Sequence, residues 1–132
     1  MPTLSRWFVR TALVALLLGF GLGAATAGSG AGGLLAPTVI HLLVVGWLTQ
    51  MVFGVAFWLF PKFAADRPRG FEWLGWVCYG TLNAGLLLRV VAEPIATPGS
   101  ARAVALAASA MLQLAAAVSF AINTWPRLKG RP

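Results

Sequence analysis

One apolar run, PTVIHLLVVGWLTQMVFGVAFWLFP at residues 37–61, constrains this chain more than any other feature, because it contains no Asp, Glu, Lys or Arg. About 20 such residues suffice to cross the hydrocarbon core of a bilayer as a helix. Near its start stands His41, the one histidine in the protein. Charged side chains within membrane segments cost roughly 2.5 kcal/mol or more on insertion scales, and neutral imidazole less, so an intramembrane ionisable residue is by default a candidate for function.

Composition extends that reading to the whole chain. Hydrophobic residues make up 59% of it and charged residues 10%, and the mean hydropathy is +0.83, which leaves almost no chain for a soluble domain. The net charge of +7 would suggest nucleic acid in a soluble protein. Here the basic residues fall in short segments between apolar runs, so they report membrane topology and no nucleic-acid partner is expected. Cys78 is the single cysteine, which excludes a disulfide framework or a cysteine metal cluster and reads as a buried, inert thiol.

Four segments have membrane-spanning length: residues 7–27, 38–60, 71–91 and 102–125. They are joined by a Gly/Ser/Ala linker at 28–36, a basic loop at 61–70 and a Pro/Gly turn at 94–100. Connections this short make sequence neighbours antiparallel neighbours, so the expected fold is an all-α, up-down four-helix membrane bundle forming one domain over 1–132, without internal repeat. Arg6 and Arg10, an apolar core and Ala25-Thr26-Ala27 also describe a secretory signal peptide, whose cleavage would leave three helices. The reading taken is a retained first helix. Arg6, Arg10, Lys62, Arg67, Arg69, Arg127, Lys129 and Arg131 then share one side, with Arg89 and Arg102 towards the other. That asymmetry predicts cytoplasmic termini in the inner membrane of a bacterium, and Trp7, Trp58, Trp73, Trp76 and Trp125 fall at the cytoplasmic interface.

This orientation brings His41, Arg89 and Glu93 to the same depth near the outer surface. Arg89 and Glu93 are spaced i,i+4 and can pair on one helix face, and snorkelling to the interface is the plainer reading of both. Gln50 and Asn83 lie deeper and read as interhelical glue. Gly46 and Gly54, with Gln50 between them, form a small-residue stripe for helix packing. Met51 and Met111 read as apolar filler. For His41 there are two readings: a helix-end histidine bonded to a carbonyl or carboxylate, or an axial ligand to haem iron.

The run His41-Leu42-Leu43-Val44-Val45-Gly46-Trp47, continued by Phe53-Gly54 and closed by Phe60-Pro61, resembles the second transmembrane helix of haem-copper oxidase subunit I and its nitric oxide reductase relatives. It is more similar still to small stand-alone membrane proteins grouped as cytochrome oxidase subunit I-like. The resemblance covers about 25 residues, the rest matching only as a hydropathy pattern. It implies His41 as axial ligand of a b-type haem and Arg89 as partner of a haem propionate, since guanidinium pairs bidentately with carboxylate. Two departures bear on function. Val39 stands where small relatives often carry a second histidine, and the helices bearing the remaining ligands of the large enzymes are missing. A sixth haem ligand would come from a second copy or another subunit, and the chain alone would not reduce oxygen or nitric oxide.

Two functions follow as expectations. One is a small b-type haem membrane protein for electron transfer or sensing, acting as a homodimer or within a larger bioenergetic complex. The other is a haem-free accessory subunit of a respiratory or photosynthetic complex. A multidrug exporter is disfavoured because the first helix carries no acidic residue. A conventional enzyme is disfavoured because no paired carboxylates, nucleophile–base pair or phosphate loop is present, Asp66 and Glu72 lying beside Arg67 and Arg69.

Overall fold

A computed structural model of the protein describes residues 1–95 and 97–129. Four helices account for most of it: α1 (Thr3–Thr26), α2 (Gly32–Leu59), α3 (Glu72–Ala92) and α4 (Ser100–Thr124), the last continued by a 3-10 turn at Trp125–Leu128. All four are long and apolar enough to cross a membrane. In hydrocarbon a backbone N–H or C=O has no water to turn to, so a chain of this composition satisfies those groups within each segment. No strand occurs among the described residues.

The contacts order the helices by register. As α1 advances from Phe8 through Ala15 to Gly19 and Gly23, its partners on α2 retreat from Gly54 through Gly46 to Leu43 and Val39. Along α2 and α3 the pairs are Phe57 with Gly75, Gln50 with Asn83, Gly46 with Leu86 and His41 with Glu93. Along α3 and α4, Gly85 meets Ser109 and the Ala92 carbonyl accepts from Arg102. A Cβ on Gly54 would stand 2.6 Å from that of Phe8, and one on Gly46 2.8 Å from that of Ala15. The small-residue stripe therefore serves backbone approach to α1.

An apolar core of Leu4, Phe8, Phe57, Cys78, Leu82 and Ala116 fills one half of the bundle. Phe8 meets Tyr79 edge-on with ring centroids 5.1 Å apart, and Phe53 stacks on Phe120 at 4.0 Å, so aromatic contacts join all four helices at this level. Cys78 is buried within this core, as its apolar surroundings suggest. Large apolar side chains such as Leu17, Phe20, Leu87, Val91 and Met111 face outward, as a lipid-facing surface requires.

Two features of α2 depart from the sequence-based expectation. It starts at Gly32 and carries Pro37 inside the helix, where the lost N–H lies close to the helix end and outside the bundle's centre. From Leu42 to Thr49 it widens into π geometry, with the Thr49 hydroxyl donating to the carbonyl five residues back, Val44 O, at 2.8 Å. The widening has a structural consequence. At about 100° per residue, nine residues of α-helix would put His41 and Gln50 on opposite faces. At roughly 80° per residue, the winding of an i→i+5 helix, the π stretch brings Gln50 back near the direction of His41. Both then address α3.

Candidate functional site: the His41–Glu93–Arg89 cluster

The site is assembled from three helices. His41 closes the last α-helical turn of α2 before the π stretch. Its Nδ1 lies 2.8 Å from the carbonyl oxygen of Pro37, one turn back. It is also 2.9 Å from Oε1 of Glu93. Glu93 follows Ala92 at the end of α3, and its N–H bonds the Arg89 carbonyl at 2.9 Å, so the helical path continues through it. Arg89 places Nη1 3.4 Å from the same Glu93 oxygen.

Beyond Arg89 the network crosses to α4. Arg89 Nε donates to Ser109 Oγ at 3.3 Å, Gln113 Nε2 donates to the same oxygen at 3.3 Å, and the Ser109 hydroxyl donates to the Gly85 carbonyl at 2.6 Å. Gly85 eases this crossing, because a Cβ there would lie a tight 3.0 Å from the backbone oxygen of Ser109. Glu93 thus has two cation-capable partners on one oxygen, while its Oε2 is buried without a hydrogen-bond partner, as is Thr38 Oγ1.

Burial separates this arrangement from a surface ion pair. The side chain of Glu93 is 6% exposed, Arg89 20% and His41 27%. Arg89 and Glu93 pair as their spacing predicts, but inside the bundle end, so snorkelling does not describe Glu93. A carboxylate taken out of water in this way needs its partners in place, and losing one leaves an uncompensated charge.

Gln50 and Asn83 form a second polar contact deeper along the same α2–α3 seam. Gln50 Nε2 donates to Asn83 Oδ1 at 3.1 Å and Asn83 Nδ2 donates to Gln50 Oε1 at 3.3 Å, with a further bond from Asn83 Nδ2 to the Tyr79 carbonyl at 2.9 Å. Both amides are thereby committed to helix association, as expected. Tyr79 in turn shares a hydrogen bond with Thr11 of α1 at 2.7 Å.

Sequence reasoning found His41, Arg89 and Glu93 and missed Ser109, Gln113 and Thr38. The i,i+4 spacing of Ser109 and Gln113 in an otherwise Ala-rich helix was the available signal. Met51 and Met111 take no part in the cluster's hydrogen bonds.

The chemistry open to His41 follows from its two contacts. Both neighbours of Nδ1 are oxygen acceptors, so the neutral ring carries its proton there and leaves the Nε2 lone pair free. A carbonyl or carboxylate on the far nitrogen is the usual way a metal-ligating histidine is oriented and made more basic. No group of three or more His, Cys, Asp or Glu suited to a metal ion occurs among the described residues, so side chains alone do not build a multidentate centre. A single imidazole with a free Nε2 makes His41 the one side chain of the cluster that could ligate iron. Arg89 fits a propionate less well, since Nη1 and Nε already address Glu93 and Ser109. In comparisons with known proteins, no family model, curated protein or solved structure matches the chain.

Proposed function

We propose that the chain is a small b-type haem subunit of a bacterial cytoplasmic membrane. It crosses the bilayer as an up-down bundle with both termini cytoplasmic, and acts in electron transfer or sensing as a homodimer or within a larger bioenergetic complex. The observation that carries this reading is the double contact of His41 Nδ1 with Pro37 O and Glu93 Oε1, at 2.8 and 2.9 Å. The resemblance of residues 41–61 to the second helix of haem-copper oxidase subunit I supports it, and the distribution of basic residues supports the orientation.

In this reading His41 Nε2 would hold the iron. Pro37 O and Glu93 keep the ring in one tautomer and one orientation. Arg89 offsets that charge and is tied in place by Ser109. When bound, haem supplies one-electron transfer or gas binding, its potential set by axial ligation and nearby charge. His41 is the only histidine, so any second histidine ligand would have to come from another copy or subunit.

A reduced-minus-oxidised visible spectrum of the purified protein, with a pyridine haemochrome assay on the same sample, tests the reading. A b-type signal is expected, lost in His41→Ala with the fold retained. Absence of haem from protein purified both alone and with its native complex defeats it. The second reading is a haem-free accessory subunit of a respiratory or photosynthetic complex. The observation favouring it is that the Glu93 charge is already met within the chain by His41 and Arg89, as a clasp between α2 and α3 would need.

A further inference from the structure

The opposite end of the bundle holds a buried guanidinium group that chain topology leaves unexplained. Arg127, in the turn after α4, is 2% exposed. Its Nε donates to Pro61 O at 2.9 Å, and its Nη2 donates to Phe60 O at 2.7 Å and Phe57 O at 3.0 Å. It thereby closes the carbonyl end of α2, with the guanidinium 5.5 Å from the centre of the Phe57 ring. That accounts for two of its three nitrogens. Among the described residues Nη1 is buried without a hydrogen-bond partner, and the same holds for the Nε atom of Arg69.

The fold brings these two arginines together. Gly70 adopts φ +70°, a left-handed conformation that suits glycine, and the Phe71 N–H donates to Asn123 Oδ1 at 3.0 Å. This contact docks the loop at 61–71, which carries Arg69, onto the end of α4, which Arg127 follows. Among the described residues neither forms an ion pair, and the nearby Asp66 faces Arg67 at 3.6 Å. An open cleft of about 890 Å³ lies alongside, lined by Lys62, Phe63, Arg127, Leu128 and Lys129 among others.

We propose that this cleft binds the phosphate of an anionic phospholipid headgroup. Arg127, Lys62 and Lys129 line it, and Arg69 adds positive charge beside it. Arg127 Nη1, buried and unpartnered among the described residues, calls for an anionic acceptor, and phosphate oxygens meet guanidinium and ammonium donors with charge-assisted bonds. Phe63 and Leu128 make part of the lining apolar, which suits a lipid's glycerol and acyl ends better than free phosphate. The ends of α2 and α4 lie at headgroup depth, where basic pockets between membrane helices recruit such lipids. The assignment is independent of haem binding and of which leaflet this end faces.

The full chain, purified in detergent and stripped of lipid, is titrated in native mass spectrometry with phosphatidylglycerol and with phosphatidylcholine of the same acyl chains. One phosphatidylglycerol per chain is expected, preferred about tenfold or more, with each basic residue removed lowering the preference by about fivefold. Lys62→Gln, Lys129→Gln and Arg69→Gln are the primary variants, because Arg127→Gln also opens the end of α2; circular dichroism verifies their helix content. Equal retention of the two lipids, or a preference unchanged in the triple variant, overturns the proposal. Complete displacement of the lipid by inorganic phosphate overturns the lipid assignment in favour of a soluble anion, and resistance to it supports the lipid.

Discussion

His41 and Glu93 meet end to end across the α2–α3 seam, Nδ1 to Oε1 at 2.9 Å, and Arg89 reaches the same oxygen from one turn back at 3.4 Å. One carboxylate therefore organises His41, the proposed haem ligand, together with Arg89. Its removal is the sharpest perturbation this molecule offers.

Glu93→Gln keeps the shape of the side chain and removes the charge that Arg89 is buried against. Breaking one side of a buried pair costs roughly 3–5 kcal/mol, and the 20% exposure of Arg89 puts the expected loss at the lower end. Adding Arg89→Met to Glu93→Gln should recover much of it. Unfolding in detergent monitored by circular dichroism measures this cycle, and a double variant as unstable as the sum of the singles would show that the two residues do not act as a pair.

For haem, His41→Ala is expected to abolish a b-type spectrum, whereas Gln50→Leu, deeper on the same helix, leaves it in place. The Glu93→Gln variant retains haem with a raised reduction potential, since the imidazole loses an anionic partner. Potentiometric titration of the haem band reads the direction. A lowered or unchanged potential would contradict the placement of Glu93 beside the ligand.

Gln50→Leu and Asn83→Leu should each destabilise the bundle by about 1 kcal/mol, the usual scale for interhelical amide bonds in membranes. The double variant should lose little more than either single, because the amides serve each other at 3.1 and 3.3 Å. Additive losses in the same unfolding assay would mean the two side chains are satisfied elsewhere.

Glycine substitutions divide by position. Gly54→Ala places a methyl 2.6 Å from Phe8 Cβ, and overpacking of that kind costs about 1–3 kcal/mol. Nothing lies within 4 Å of a Cβ on Gly80, so Gly80→Ala should be neutral or stabilising by up to about 1 kcal/mol through helix propensity. Equal effects at the two sites would argue that α1 does not press on α2 at Gly54.

Much of the architecture was legible in the residues because it rests on local quantities. The four spans follow from hydropathy and length, and the i,i+4 spacing of Arg89 and Glu93 was enough to foresee their pairing. Placing His41 at their depth needed only the lengths of two adjacent spans. The π winding over Leu42–Thr49 was not legible, since LLVVGWLT is equally compatible with a regular α-helix. Ser109 went unread because the i,i+4 spacing of an uncharged serine and glutamine in an Ala-rich helix is a weak signal, and Arg127 because its basicity was absorbed by the topology argument.

By itself the sequence determined four spans long and apolar enough to cross a membrane, with a single histidine in the second, since length, hydropathy and residue identity are properties of each segment alone. Only the tertiary structure decided how those residues are used. The π stretch aims both His41 and Gln50 at α3, Gly85 admits the Ser109 backbone, and Arg127 closes the end of α2 with a charge left over. Each depends on how closely and at what rotation one helix meets another, and the energy that sets it lies in contacts between segments distant in sequence.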